Sequence, residues 1–283
     1  MPEQDNRPPL PPPPSMPTAR VRPEPRLSGF EIRDGLASDA IRVVFQPQVF
    51  SQGGGVRGAE AFLRWQDASG VTLPPSAVME AVEKDRLWPS VTKAIMARTL
   101  KKLRSWLQKD LPVCIGIKLP GPVLIAPAVV DAIAEQVLQS SVKPSHIVFH
   151  IESLPADLSL IPAQQTTLGK LHDSGFRLSA LCPLLMTDFT LSRLGYSLFD
   201  EFRIDFRLAH PSTRGDRLSH STERFVAGVR KANKLSIVQN LETRADYDIA
   251  VNTGVDLLQG YFISKPLTAA EFEDWQDRPS WQP

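Results

Sequence analysis

From about residue 28 onward, short runs of β-branched and aromatic residues alternate with longer stretches in which apolar residues recur at helical spacing. The short runs predict eight strands, over 41–46, 56–64, 114–119, 146–151, 177–181, 201–206, 236–241 and 257–261. Amphipathic helices are predicted between most of them, over 88–109, 128–139, 160–174, 222–234 and 243–253. The first two strands flank three glycines at 53–55. Because a strand and not a helix follows these glycines, they read as a hairpin turn rather than a phosphate cradle. Beyond that pair, the strand–helix rhythm predicts a parallel sheet covered on both faces. Eight strands over about 250 residues suit a closed barrel, in which chemistry gathers where strands end at the C-terminal mouth.

Residues 1–27 have a different texture: Pro8, Pro9 and Pro11 to Pro14 lie among scattered arginines with little apolar side chain to bury. They predict a disordered, proline-rich tail, read as a solvated linker with a docking arm as the alternative. One domain is expected over 28–283. The 32 Lys and Arg nearly balance the 31 Asp and Glu, so no global field points to nucleic acid. Lys101, Lys102, Arg104 and Lys109 read as the solvated face of a helix, and no direct nucleic-acid binding is expected. Two cysteines, Cys114 and Cys182, exclude a disulfide scaffold and suit a reducing cytoplasm. No run approaches the roughly 20 apolar residues that span a bilayer, so neither membrane insertion nor export is expected.

The segments VFQPQVF and RGAEAFLRW (57–65), with LETRADY (241–247) and QGYFISKP (259–266), resemble the opening and closing blocks of EAL domains. The resemblance extends from about residue 28 to the C-terminus. It implies a modified (β/α)8 TIM-like barrel of EAL type. In active members of that family, carboxylates at the barrel mouth hold two Mg²⁺ or Mn²⁺ ions that activate water against cyclic di-GMP.

Carried over residue by residue, the resemblance matches Glu60, Glu242 and Gln259 to site positions of the family. Lys118 stands at a metal-binding asparagine, and His150, in FHIES with one residue deleted, at a metal-binding glutamate. Leu181 and Cys182 replace two central aspartates, Arg203 a water-positioning lysine, and Gln239 a catalytic glutamate. The mouth thus trades about four carboxylates for neutral groups and gains a lysine, the reverse of what hard cations require. A degenerate domain with no metal, no cofactor and no hydrolysis is expected. Structural roles stand beside these: Glu60 as a carboxylate paired with Arg203 or Lys118, His150 as a hydrogen-bonded structural histidine, and Cys182 as an inert thiol.

Two functions follow from the resemblance. The first is a stand-alone regulator that binds a regulatory protein and represses or redirects gene expression, as anti-flagellar regulators and virulence-gene repressors of the family do. Its candidate surface is Leu184, Leu185 and Met186, apolar residues where the family has a polar loop. The second is a cyclic-di-GMP receptor that does not hydrolyse, with Gln46, Glu60, Phe62, Arg64, Lys118, Arg203, Gln259 and Pro266 about the nucleotide and Lys118 or Arg203 supplying the charge of the ions. A homodimer is compatible with either.

Overall fold

The computed structural model of the protein describes residues 27–38, 40–66, 69–111, 113–152, 160–182, 198–207 and 216–277, with backbone alone over 216–221. Helix α1 (Gly29–Ala37) starts in a capping box, Ser28 and Glu31 each accepting the other's backbone N–H. The predicted hairpin follows as β1 (Ile41–Phe50) and β2 (Val56–Gln66), with Gly53 and Gly54 at positive φ in its turn. A two-residue strand β3 (Thr72–Leu73) edges β2, and helices α2 (Pro75–Lys84) and α3 (Trp88–Gln108) each carry proline in the first turn, where no N–H is missed.

Strand and helix then alternate: β4 (Cys114–Leu119), α4 (Gly121–Leu124), α5 (Pro127–Gln139), β5 (Ile147–Ile151), α6 (Pro162–Asp173) and β6 (Arg177–Cys182). β7 (Glu201–Asp205), α7 (Asp216–Lys231), β8 (Leu235–Gln239), α8 (Arg244–Asn252), β9 (Leu257–Leu258) and α9 (Ala269–Asp277) complete the described chain. The strand order β1-β9-β8-β7-β6-β5-β4-β2-β3, with β1 also paired to β2, closes an eight-stranded barrel with β3 outside it. β1 runs antiparallel to both its neighbours and the other barrel strands are parallel, as the rhythm predicts.

The strand over 41–46 runs on to Phe50, the strand over 236–241 lies at Leu235–Gln239, and two further spans are reset by turns. The strand over 257–261 stops at Leu258, because the chain turns beneath Leu241. At Gly260 a Cβ would stand 2.2 Å from the Leu241 carbonyl oxygen, so only glycine passes there. The helix over 222–234 begins at Asp216 and ends at Lys231, where Asn233 at positive φ turns the chain into β8. The tail and the Leu184–Leu185–Met186 surface lie outside the described residues.

The main apolar core lies between the sheet and its helices. Phe45, Trp106 and Phe272 tie β1, α3 and α9 there, with Phe45 and Phe272 rings 4.8 and 5.1 Å from the Trp106 ring. Alternation along β1 sends Phe45 and Val49 into this layer, and Gln46 and Gln48 therefore into the barrel.

Candidate functional site

The barrel interior carries buried polar side chains, among them Gln48, Glu60, His150, Arg203 and Gln259, and such groups call for partners inside the protein. One chain of hydrogen bonds supplies many of them. At its base Arg57 donates to Glu201 in an ion pair and to Gln48 Oε1 at 3.1 Å. Gln48 Nε2 donates to Gln259 Oε1 at 2.8 Å, and Gln259 Nε2 donates to Glu60 Oε2 at 2.8 Å and to Gln46 Oε1 at 3.1 Å. Gln46 Nε2 closes on the Ser264 carbonyl at 3.0 Å. The amide of Gln259 thus fixes the orientation of the Glu60 carboxylate.

His150 faces the other Glu60 oxygen, with Nδ1 3.2 Å from Oε1. This is charge-contact distance, but neither ring nitrogen has an aligned hydrogen bond. The imidazole fits because Gly116 lies opposite it; a Cβ there would sit 2.4 Å from the ring. Burial and Arg203 hold the His150 pKa below the ordinary histidine range, against the pull of Glu60 and Glu152. Burial alone would raise the Glu60 carboxyl, but His150, Arg203 and the bond from Gln259 outweigh it and hold the pKa down to about 2.

Arg203 lies on β7 between Leu181 of β6 and Ile237 of β8 and is fully buried. It donates to Gln239 Oε1 at 3.1 Å and to the Ile151 carbonyl at 3.5 Å, while its Nε has no partner. Lys118, half-exposed at the end of β4, is ion-paired with Glu152, just past β5. The Glu152 carboxylate also stands 4.0 Å from Arg203 Nη1. Cys182 faces the helices in the apolar core, where burial pushes its thiol up to about 12.

Above this floor opens a cavity of about 410 Å³. Gln46, Glu60, Phe62, Arg64, Lys118 and Pro266, six of the expected nucleotide-facing residues, lie in its wall. The Arg64 guanidinium stands 6.0 Å from the Phe62 ring centroid. Gln259 and Arg203 do not reach the wall; they sit beneath it. Trp88, Met79 and Ile95 give one side an apolar lining, suited to a flat or apolar group.

The donor set can be tested against the two divalent ions that the resemblance implies. Such ions need several carboxylates gathered about one point. Here Glu152 is taken by Lys118, Glu60 is held between Gln259 and His150, and Leu181 offers no donor. Among the described residues no group of three or more His, Cys, Asp or Glu is placed to hold a metal. These residues do not fit a two-ion centre.

Sequence reasoning missed Glu152, Gln48 and the Arg57–Glu201 pair. Glu152 had a signal, since it follows Ile151 in FHIES at a strand terminus facing the mouth. The others had only their place as polar residues inside apolar runs.

The EAL domain family profile matches residues 31–266. Among curated proteins, the chain is 23% identical over 250 residues to the bifunctional diguanylate cyclase/cyclic di-GMP phosphodiesterase MucR of Pseudomonas aeruginosa, covering 85% of this chain and 35% of that one. It is 24% identical over 247 residues to the cyclic di-GMP phosphodiesterase RocR of the same organism, covering 85% and 61%. The oxygen sensor protein DosP of Escherichia coli is 21% identical over 253 residues, covering 87% and 31%. The chain therefore spans about a third to three-fifths of the length of these relatives. In fold it is similar to the PaMucR phosphodiesterase in complex with c-di-GMP, with TM-score 0.73, 23% identity and coverage of 86% and 98%. It is likewise similar to the Xanthomonas citri FimX EAL domain in complex with c-diGMP, with TM-score 0.74, 16% identity and coverage of 84% and 92%. With closing and opening blocks, barrel and family profile in agreement, this chain belongs to the EAL domain family.

Proposed function

We propose that the protein is a non-catalytic EAL-domain regulatory protein of the cytoplasm that modulates or represses gene expression, of virulence or motility type, by binding a regulatory protein. The observation that supports this reading is the ion pair of Lys118 and Glu152 in the barrel mouth. Hydrolysis with two metal ions needs free carboxylates there, and the chain places an ammonium group among them. Two free cysteines, and the absence of any described helix long and apolar enough to cross a membrane, agree with that compartment.

A second reading, a receptor that binds cyclic di-GMP without hydrolysing it, is favoured by the cavity. Its wall brings together Gln46, Phe62, Arg64 and Pro266, and its apolar side is suited to a base. Calorimetry with cyclic di-GMP, in Mg²⁺ and again in EDTA, separates the readings. A receptor gives the same affinity in both, and a regulator that works through its partner alone gives no binding heat in either. Affinity that appears only with Mg²⁺ contradicts both.

A further inference from the structure

The mouth holds one carboxylate between two cations from different strands. Glu152 Oε2 meets the Lys118 ammonium of β4, and Glu152 Oε1 is 4.0 Å from Nη1 of Arg203 on β7. Lys118 and Glu152 line the cavity, whereas Arg203 is fully buried, so the carboxylate stands on the open side of the guanidinium. The cation beneath is not saturated, since Arg203 Nε has no partner. A phosphate group asks for the same surroundings as this carboxylate: an ammonium and a guanidinium donating to oxygens of one anion.

We propose that Glu152 is a resident counter-anion, which a phosphate-bearing ligand must displace from Lys118 and Arg203 to enter the cavity. The inference rests on the receptor reading and adds to it a residue that sets affinity by competition. Glu152 is 26% exposed and Lys118 51% exposed, so their pair is solvated enough to exchange. When the carboxylate swings out, its charge returns to water and the incoming phosphate takes its two cations. Without such exchange, a dianionic ligand would meet Glu60, Glu152 and Glu242 in the same wall.

The test is calorimetry of the full chain and of Glu152→Gln with two probes, cyclic di-GMP and inorganic pyrophosphate, each repeated in a Lys118→Met background. The proposal predicts that Glu152→Gln tightens binding about tenfold when Lys118 is present, the scale of one charge-assisted contact. In the Lys118→Met background most of that gain disappears, because the cation for which the two anions compete has gone. Equal gains in both backgrounds would show only a general loss of negative field and would overturn the proposal. Unchanged or weaker binding of both probes by Glu152→Gln overturns it too. Tighter pyrophosphate binding with no binding of cyclic di-GMP keeps the exchange and discards the nucleotide receptor. Thermal melts of each variant confirm that the barrel is folded.

Discussion

His150 Nδ1 lies 3.2 Å from Glu60 Oε1 within the closed barrel, with the histidine fully buried and the carboxylate 4% exposed. The arrangement ties stability to pH. His150 has a folded pKa below its ordinary 6.5, so as pH falls through 6.5 the unfolded chain binds a proton that the folded chain refuses. Stability therefore falls with pH in that window. Glu60 has the depressed carboxylate pKa of about 2, and its contribution is present above 4.5 and lost between 4.5 and about 2. Melting temperature should drop from pH 7 to pH 5, and His150→Gln should drop less over the same interval; parallel curves would remove His150 from the explanation.

At the base of the barrel, Arg57 and Glu201 are 6% and 0% exposed and form an ion pair. Removing one charge strands the other in a medium that cannot solvate it, which costs about 3–5 kcal/mol. Arg57→Met alone should lower the urea midpoint sharply, and Arg57→Met with Glu201→Leu should recover much of the loss. A double variant no better than the single one would mean the pair is not the source of the cost.

Gln259 uses both amide hydrogens and its oxygen within the barrel, bonding Glu60, Gln46 and Gln48. Gln259→Leu leaves all three short of a partner and should cost at least ~2 kcal/mol in urea unfolding. It should also raise the Glu60 pKa, readable as acid unfolding at higher pH. An acid transition that does not move would show that Gln259 does not hold the Glu60 charge.

The order of strands and helices was legible because buried parallel strands and amphipathic helices differ in period and length, as at 114–119, which forms β4 as expected. Boundaries failed where a turn overrode the pattern, as at Gly260 beneath Leu241. At the site, the end blocks carrying Gln46, Glu60 and Gln259 were legible by resemblance. The polar interior was not: Arg57 and Glu201 are 144 positions apart, and Gln48 and Gln259 are 211 apart. No local pattern specifies which polar residues meet when a barrel closes. Glu152 is one carboxylate at a strand end, and only the side-by-side pairing of β4 with β5 brings it to Lys118.

Helix α1 is capped by its own residues, Ser28 and Glu31, and its first turn bonds Ile32 N–H to the Ser28 carbonyl. Nothing before Leu27 is required to start it. A chain beginning at Arg26 should therefore melt at the temperature of the full chain. A fall of many degrees would show that the tail packs on the barrel.

The central claim is that the barrel mouth no longer supports two-metal hydrolysis, and its most direct test is incubation of the purified protein with cyclic di-GMP and Mn²⁺, followed by chromatography of the nucleotide. With Lys118 paired to Glu152, Glu60 held by Gln259 and an apolar Leu181, no group of three or more His, Cys, Asp or Glu among the described residues is placed to hold the ions. The account predicts that the cyclic dinucleotide is recovered intact. Appearance of the linear product, abolished by Glu60→Ala, would contradict it.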